Sequence, residues 1–309
     1  MKQRTAGDMQ FRAPLPIRVL THNIRYATSS PFPGEERWDM RKPCLNSELR
    51  FHTAHCPESF ICLQEVLHHQ LVDILSGLNK PRKKWDYIGV GRDDGQEAGE
   101  YSPIIYQPAF WMLRDSKSVW LSETPDRPSK SWDAACIRIL TVGVFQHRET
   151  KKTVIAMNTH LDDQGSESRL QAAKIILQQI ASFSGQSKGQ DTLPVFLAGD
   201  FNSEPNDEAY KAITSEESPM CDLQLLVPED QRYGNLHTFT GFDGNPALLS
   251  RIDFLFINYT HSSDHNIHNP SKIEPVDQWT VEGYAILENR FENGVYNSDH
   301  RAVIGDVML

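Results

Sequence analysis

Short apolar segments rich in β-branched residues recur along the whole chain and predict strands. Most of them are bounded by Gly, Pro, Asp or Asn, the residues expected where a strand ends in a turn. The predicted strands cover residues 17–24, 60–63, 87–90, 104–106, 137–145, 153–158, 193–198, 251–257 and 302–307. Many strands distributed in this way, with few helices between them, predict two sheets that pack face to face with helices on the outside.

Three segments instead show the apolar spacing of helices. They are residues 65–79, 166–183 and, directly after Pro205, 206–214. The longest stretches with neither pattern are 27–45, 91–103, 122–135 and 258–282, and long loops in a compact domain are often binding loops. Residues 1–15 are expected to form a flexible leader. Because no linker divides the remainder, residues 16–309 are predicted to be a single domain.

Polar side chains follow the predicted strands at a recurring place. The segments concerned are Thr21-His22-Asn23, Leu63-Gln64-Glu65, Asn158-Thr159-His160-Leu161-Asp162, Gly199-Asp200-Phe201-Asn202, Arg251-Ile252-Asp253 and Ser298-Asp299-His300. Each alone is typical of a helix cap, a turn or a structural histidine, but their recurrence at strand ends favours one shared site. Asp200 and Asn202 are separated by one residue, so their side chains point the same way off the strand.

Oxygen ligands of this kind suit Mg²⁺, which usually takes one or two protein carboxylates and leaves its other positions to water and phosphate. The pattern therefore predicts magnesium-assisted attack of water on a phosphate ester.

Composition narrows the class of protein. The 309 residues are 39% hydrophobic and 23% charged, as in an ordinary globular protein, and the formal net charge is -10. An acidic chain of this kind is not typical of non-specific nucleic-acid binders, although a local basic rim around a metal site remains compatible with it.

The five cysteines form no Cys-x-x-Cys pair, which favours reduced thiols. With neither a signal-like amino terminus nor a stretch of about 20 apolar residues, we expect a cytoplasmic protein, with the nucleus as the alternative, and no membrane partner. The oligomeric state is left open.

The order of these motifs resembles the endonuclease/exonuclease/phosphatase superfamily, which includes deoxyribonucleases, abasic-site endonucleases, sphingomyelinases, inositol polyphosphate phosphatases and deadenylases. The resemblance extends over about residues 17–307 and is nearest to the deoxyribonuclease and deadenylase side. Residues 91–95 and 99–102 are similar to a little-characterised microbial branch. The resemblance implies a four-layer α/β sandwich, in which two packed mixed sheets are flanked by helices.

The same resemblance implies a role for each matching residue. Glu65 is expected to be the main metal ligand, helped by Asn23 and Asp299, with Mg²⁺ or Mn²⁺ as the ion. Asp200 is expected to position or deprotonate the attacking water, and Asn202 to hold a phosphate oxygen.

Two histidines are implied to contact the phosphate. His300 would do so with Asp253 accepting its other N–H, and His160 from the opposite side with Glu100 as the candidate partner. A carboxylate beside each ring would favour the imidazolium, which stabilises negative charge on phosphorus. For Glu100, a purely loop-stabilising role is the equal alternative.

Three functions remain compatible with this pattern. The first is a metal-dependent phosphatase or phosphodiesterase acting on a small phosphorylated substrate, which the acidic net charge favours. The second is a nuclease, either a deadenylase-like 3'-5' exonuclease or a DNA endonuclease. The third is a non-catalytic binding protein, which would be expected to lack one of the motif residues. Candidate substrate contacts, each equally explained as an ion pair or a core residue, are Arg25, Arg92, Arg169, Trp38, Trp132, His237, Phe239 and Phe242.

Overall fold

Two mixed β-sheets form the centre of the molecule. The computed structural model describes residues 14–185, 192–259 and 279–309. Most of the predicted leader and the middle of the predicted 258–282 loop therefore lie outside the described residues. The strands are β1 (Pro16–Asn23), β2 (Phe60–Gln64), β3 (Asp86–Ile88), β4 (Ile104–Tyr106), β5 (Trp111–Trp120), β6 (Ile139–His147), β7 (Thr153–His160), β8 (Val195–Asp200), β9 (Met220–Asp222), β10 (Tyr233–Gly234), β11 (Asp253–Asn258), β12 (Thr280–Ile286) and β13 (Val303–Met308).

The first sheet has seven strands in the order β10-β12-β13-β1-β2-β4-β3, and the second has six in the order β5-β6-β7-β8-β11-β9. A parallel pair lies at the centre of each sheet, β1 with β2 and β7 with β8, and β10 also runs parallel to β12 at the edge of the first sheet. Parallel neighbours end at the same edge of a sheet, so the polar segments that follow these strands are brought together.

The inner faces of the two sheets meet through aromatic side chains. Phe60 of β2 packs against Phe145 and Phe196 of the second sheet, with ring centroids 5.0 and 5.3 Å apart.

Helices cover both outer faces. The helices are α1 (Trp38–Thr53), α2 (His68–Leu78), α3 (Ser166–Ser184), α4 (Glu208–Ile213) and the short α5 (Leu223–Leu226). Apolar residues of α1 and α2 pack on the first sheet, as Leu49 and Ile74 do against Ile61. Those of α3 and α4 pack on the second sheet. This arrangement confirms the predicted four-layer sandwich of two mixed sheets flanked by helices.

Helix α1 differs from the prediction, since the sequence pattern assigns residues 27–45 to a loop. Its buried face includes the polar residues Arg41 and Glu48, which hide the apolar periodicity. Pro43 lies inside the helix, and the N-cap residue Arg37 makes no side-chain capping hydrogen bond. Of the usual signals of a helix start, the sequence therefore shows only an acidic residue in the first turn, Asp39.

Strands β5, β9, β10 and β12 were also not predicted, and β10 has only two residues. The middle of β5 is polar and exposed, because β5 lies at the edge of its sheet. Strand β9 has only three residues, and β12 begins inside the predicted 258–282 loop. Helix α2 begins three residues later than predicted, because Glu65 has a left-handed backbone conformation with φ 57°. Leu15, assigned to the leader, is buried and pairs through its backbone with Leu309.

None of the described helices is both long and apolar enough to cross a membrane.

Candidate active site

Strand register places the predicted site residues beside one another. Asp200 ends β8 and is paired with His160 of β7 on one side and with Asp253 of β11 on the other. In the first sheet Asn23 of β1 lies next to Gln64, which immediately precedes Glu65. The two sheets are joined beneath these strand ends by a buried hydrogen bond of 2.7 Å from Gln64 Nε2 to Asn158 Oδ1. The candidate site therefore lies at one edge of the sandwich and takes residues from both sheets.

Asp200 is the centre of the cluster. Its side chain is 1% exposed, and its Oδ2 accepts a hydrogen bond of 2.9 Å from Asn23 Nδ2. The same oxygen lies 3.5 Å from His160 Nε2 and 3.7 Å from His300 Nε2, while Oδ1 accepts from the backbone N–H of Asn202 at 2.9 Å. Burial, and after it the neighbouring carboxylate of Asp253, raise the pKa of Asp200 to about 7. An aspartate with such a pKa can accept a proton near neutral pH.

His300 is held between two carboxylates. Its Nδ1 donates to Asp253 Oδ2 at 2.9 Å, and its Nε2 faces Asp200. The ring of Phe239 contacts it edge-on, with centroids 5.0 Å apart. Burial disfavours a charge on His300, but the carboxylates of Asp253 and Asp200 outweigh it and raise its pKa to about 10. Asp253 therefore orients the ring as the sequence predicts, and the raised pKa favours the imidazolium.

His160 differs from that expectation. The distance from its Nδ1 to Glu100 Oε2 is 3.9 Å, and Nδ1 has no hydrogen-bond partner among the described residues. Burial and then the nearby Arg138, Arg92 and His300 lower the pKa of His160 well below its ordinary value. The neutral ring accepts a hydrogen bond at Nε2 from Asn202 Nδ2, 3.0 Å away.

The partner of Glu100 is instead Arg92, whose Nη1 donates to Glu100 Oε2 at 2.8 Å. Burial, followed by the influence of Glu65, raises the pKa of Glu100 to about 7 despite this ion pair. Glu100 therefore lies at the site, but it pairs with Arg92 and not with His160, the partner predicted from the sequence.

Glu65, Asn23 and Asp299 form an oxygen-rich group at the mouth of the site. Glu65 is partly exposed; its Oε1 accepts from Asn23 Nδ2 and its Oε2 from the backbone N–H of Tyr26, both at 3.0 Å. Burial raises the pKa of Asp299, with a further contribution from the carboxylate of Glu65. A carboxylate whose charge is disfavoured by a second carboxylate beside it is expected where a cation binds.

This donor set fits a divalent cation. Carboxylate and amide oxygens are the ligands of Mg²⁺ and Mn²⁺, and the partial exposure of Glu65 leaves an approach for a phosphate. The amide nitrogen of Asn23, rather than its oxygen, faces the carboxylates; half a turn of the amide would exchange the two atoms. Asp200, Asp253 and His300 also bring potential ligand atoms within 4.8 Å of one another. Because Nδ1 of His300 is already hydrogen-bonded to Asp253 Oδ2 at 2.9 Å, we assign these three to a hydrogen-bonded network rather than to the ion.

The backbone is strained at the residues that place these groups. Arg25, Glu65 and Asn202 all have positive φ, at 56°, 57° and 44°, a conformation that non-glycine residues adopt rarely and at a cost of about 1–3 kcal/mol each. Each of them directly follows, or lies two residues beyond, the end of a strand that supplies the site. The turn redirects the chain at once, so that the side chain stays at the edge of the sheet.

Of the additional candidates, some reach the site and others do not. Arg25 and Arg92 form ion pairs with Glu65, at 3.7 Å, and with Glu100, at 2.8 Å. Arg169 pairs with Glu208 of α4 at 3.1 Å and belongs to the helical layer.

Trp38 and Phe242 are core residues. Trp132 is 38% exposed and lies in the β5–β6 loop, and His237 is half-buried, with its carbonyl accepting from Arg301 Nη1 at 3.3 Å.

Sequence reasoning missed Arg138 and Arg41. Arg138 lies one residue before β6 and donates to Asp163 at 3.0 Å. A charged residue inside the predicted strand 137–145 was the signal for it. Arg41 is fully buried, and its Nη1 donates to the carbonyls of Ile24 and Asn297 at 2.8 and 2.9 Å. Nothing in the sequence marks Arg41, because its partners are distant backbone atoms.

Comparisons with known proteins agree with this geometry. A sequence model described as the Endonuclease/Exonuclease/phosphatase family matches residues 54–265, more than half of the chain. The chain therefore belongs to the endonuclease/exonuclease/phosphatase family, a family of hydrolases that act on phosphoric esters. This membership confirms both the resemblance and the enzyme class predicted from the sequence.

Among curated relatives, the CCR4-Not complex 3'-5'-exoribonuclease subunit Ccr4 of Aspergillus terreus is 27% identical over 369 aligned residues, covering 94% of this chain and 52% of the relative. The chain thus spans about half the length of the curated relatives it matches. Two solved structures align over nearly their full length. An endonuclease/exonuclease/phosphatase of Bacteroides vulgatus has a TM-score of 0.77 and 31% identity, over 94% of this chain and 98% of that one. A mannosyl-6-phosphatase of Bacteroides thetaiotaomicron has a TM-score of 0.76 and 29% identity, over 95% and 100%.

Proposed function

We propose that this protein is a divalent-metal-dependent phosphatase or phosphodiesterase that hydrolyses a small phosphorylated substrate. The observation that carries the proposal is the buried Asp200, held 3.7 Å from an imidazolium that Asp253 orients, beside the carboxylates of Glu65 and Asp299. The group combines a proton acceptor, a fixed positive charge and hard oxygen ligands. These are the elements that hydrolysis of a phosphate ester by water requires.

Each residue of the group has a defined task in this proposal. Glu65, Asn23 and Asp299 would hold Mg²⁺ or Mn²⁺, which when bound supplies positive charge to the phosphate. Asp200 orients a water molecule and accepts its proton, and the raised pKa suits that task at neutral pH. His300 donates from Nε2 to a phosphate oxygen and balances the charge that develops on phosphorus. Asn202 holds the neutral ring of His160 in place, so that Asn202 and His160 are expected to position the phosphate rather than to carry charge.

A small substrate is favoured by two observations. The formal net charge of -10 offers little general attraction to a nucleic acid. The mannosyl-6-phosphatase of Bacteroides thetaiotaomicron is matched over 100% of its length, so this chain has the extent of a protein named for a phosphorylated sugar.

A nuclease is the second candidate. The alignment with the Ccr4 subunit covers 94% of this chain, and that relative is named as a 3'-5'-exoribonuclease. A structure of the zebrafish protein TDP2 with a single-strand DNA product has a TM-score of 0.63, but at 16% identity it shows the fold alone.

A hydrolysis screen distinguishes the two candidates. Purified protein is incubated with Mg²⁺ or Mn²⁺ and a panel of sugar phosphates, other phosphomonoesters and small phosphodiesters, and in parallel with single-stranded poly(A) RNA and duplex DNA. Asp200→Ala, measured beside the wild type, provides the blank for contaminating hydrolases. Turnover of small esters alone supports the proposal, whereas shortening of RNA or nicking of DNA that is absent from the variant supports the nuclease. The absence of any turnover dependent on Asp200 would contradict both.

A further inference from the structure

A second concave surface lies at the end of the sandwich opposite the candidate active site. It is a groove of about 800 Å³ that includes Arg50, Lys80, Lys83 and Lys84 together with residues 107–110; we call it the basic groove. The residues that line the basic groove include Pro57, which comes before β2 in the chain, and residues 107–110, which come directly after β4. Glu65 of the candidate site lies at the other end of β2. At about 3.3 Å per residue, the five residues of β2 separate the two places by roughly 17 Å.

The charge of the basic groove contrasts with that of the whole chain. In a chain of net charge -10, residues 80–84 read Lys-Pro-Arg-Lys-Lys. Within the described ranges, the only ion pair made by these side chains or by Arg50 is an exposed contact of 4.0 Å between Lys83 and Asp86. Several cations thus converge on one cavity with a single acidic residue beside them, which leaves a site of positive charge to be neutralised by a ligand.

The backbone that carries these lysines is fixed. Asn79 ends α2, and its Oδ1 accepts from the N–H groups of Lys84 and Trp85 at 2.7 and 2.8 Å. Its Nδ2 donates to the carbonyl of Trp85 at 3.1 Å. One side chain therefore closes the turn 80–84 against the end of the helix. A turn held in this way presents its cations in a defined arrangement, which lowers the entropic cost of binding an anion.

The floor of the basic groove is apolar. Leu78, Trp85 and Phe110 line it together with Pro57 and Pro108. Leu78 and Trp85 are buried beneath it, so the surface offered to a ligand comes from the half-buried Phe110 and the two prolines. A rim of cations above an apolar floor matches a ligand that has phosphates at one end and a flat ring at the other. A lipid membrane would not enter a concave site of this kind, because it contacts protruding surfaces.

We propose that the basic groove binds a ligand of nucleotide chemistry, with its phosphates on Arg50, Lys80, Lys83 and Lys84 and its ring on the apolar floor. Two sources supply that chemistry, a free nucleoside polyphosphate or a short segment of single-stranded RNA. The proposal does not depend on the function proposed for the catalytic residues. It adds a binding site that would let the enzyme retain or respond to a nucleotide while the candidate active site is free.

Binding measurements with charge variants test the proposal. The probes are ATP, titrated by calorimetry, and a fluorescein-labelled ten-nucleotide poly(A), measured by anisotropy; both are used in EDTA so that no divalent ion supports hydrolysis. Vesicles of phosphatidylcholine and phosphatidylserine form a third arm. The test variant is Lys80→Glu/Lys83→Glu/Lys84→Glu, and a second variant replaces the same lysines by Gln. The matched control, Lys117→Glu/Lys174→Glu/Lys211→Glu, makes the same change of net charge at exposed lysines elsewhere.

The expected result is that ATP, the RNA or both bind the wild type and the control, and that the groove variants bind about tenfold or more weakly, with the Glu variant weakest, since each lost phosphate contact reduces affinity. Binding of ATP alone identifies a free nucleotide as the ligand, and binding of RNA alone identifies a strand. Thermal unfolding and the hydrolysis of a small ester should be the same in all variants. The proposal is overturned if neither nucleotide probe binds, if the control weakens binding as much as the groove variants, or if only the vesicles bind.

Discussion

At the scale of single residues, the chemistry depends on an aspartate that burial has made a better base. Asp200 is in contact with both histidines and with Asn23. We expect Asp200→Ala to lower kcat by roughly 10²–10⁴-fold, the range contributed by a positioned general base. Removing a buried carboxyl group whose charge is disfavoured by its surroundings should leave the fold intact. Steady-state kinetics on the substrate found in the screen, together with circular dichroism, would measure both effects.

The matched control is Asp230→Ala, since Asp230 is exposed in a short turn far from the cluster. It should retain full activity. Substantial turnover by folded Asp200→Ala would show that another group accepts the proton, and Glu100, whose pKa is also raised to about 7, would be the next residue to replace.

Asp253 acts through His300 and is expected to be a positioning residue. Its carboxylate is fully buried and holds Nδ1 of the ring at 2.9 Å. In Asp253→Asn the ring loses the carboxylate that stabilises its positive charge and keeps at most a neutral acceptor at Nδ1, so kcat should fall by roughly 10²-fold or more while KM changes little. Kinetics on Asp253→Asn and on the exposed control Asp126→Asn measure this. A raised KM with unchanged kcat would instead assign Asp253 to substrate binding.

At the scale of secondary-structure elements, the strands that could be predicted from the sequence are the buried ones. Each is an apolar segment bounded by turn residues or by an amphipathic helix. Strands β1, β7, β8 and β11 are of this kind, and they carry most of the site. Helix α1 was missed because Arg41 and Glu48 occupy its buried face, and β5 because an edge strand needs no apolar centre. The pairing of Glu100 with Arg92 was missed for a different reason. Competition among nearby charges depends on side-chain positions that spacing along the chain does not specify.

One loop is fixed to the second sheet by a single carboxylate. Asp162 follows β7 and accepts hydrogen bonds from the backbone N–H groups of Ala135, Cys136, Gln164 and Gly165 at 2.8–3.1 Å. Although burial would raise the pKa of Asp162, these N–H groups outweigh it and lower that pKa. Its stabilising effect is therefore fully present above the unfolded value of about 4 and is lost as the pH falls through the lower folded value.

Asp162→Asn should accordingly reduce the free energy of unfolding at pH 7 by about 1–3 kcal/mol. The difference from the wild type should shrink as the pH falls below about 4, where the wild-type carboxylate is protonated as well. Urea unfolding at a series of pH values would measure this dependence. Asp163→Asn is the matched control, because Asp163 is largely exposed and its pair with Arg138 should contribute no more than about 1 kcal/mol. If the loss of unfolding free energy in Asp162→Asn does not depend on pH, the packing of this side chain, and not its charge, holds the loop.

Helix α1 is attached to the site through Arg41. Its guanidinium donates to carbonyls at the end of β1 and in the segment before Ser298. Arg41→Met should lower the free energy of unfolding by roughly 3 kcal/mol or more, because several buried carbonyls lose their donor and Glu35 loses a neighbouring charge. Chemical denaturation would test it against Arg37→Met, which changes an exposed arginine at the start of the same helix. Equal stability of the two variants would contradict the role given to Arg41.

At the scale of the whole molecule, the site exists only because two sheets end at the same edge. Asn23, Glu65 and His300 come from the first sheet, and His160, Asp200 and Asp253 from the second. Their recurrence at strand ends predicted that they would meet, but the depth at which they meet depends on how the sheets pack. That depth sets the burial that raises the pKa of Asp200 and lowers that of His160.

The group at the mouth of this edge connects metal binding to the stability of the whole fold. The carboxylate of Glu65 disfavours the charge of Asp299, so a divalent cation between them should stabilise the folded protein, by about 2.7 kcal/mol when its concentration is one hundred times Kd. Addition of Mg²⁺ or Mn²⁺ should therefore raise Tm in a saturable way. Glu65→Gln removes one of the two negative ligands, and we expect the metal concentration at half-effect to rise by about tenfold or more.

Thermal unfolding measured over a titration of each metal, with and without substrate turnover as a second readout, gives both midpoints. Glu36→Gln is the control, because Glu36 is exposed and its backbone carbonyl, not its carboxylate, accepts from Arg41; its titration should match the wild type. If Glu65→Gln shifts both midpoints together, the ion that stabilises the fold is the one that supports hydrolysis. If the two midpoints are unchanged, the ion binds elsewhere, and Asp200, Asp253 and His300, whose ligand atoms lie within 4.8 Å of one another, would have to be tested in its place.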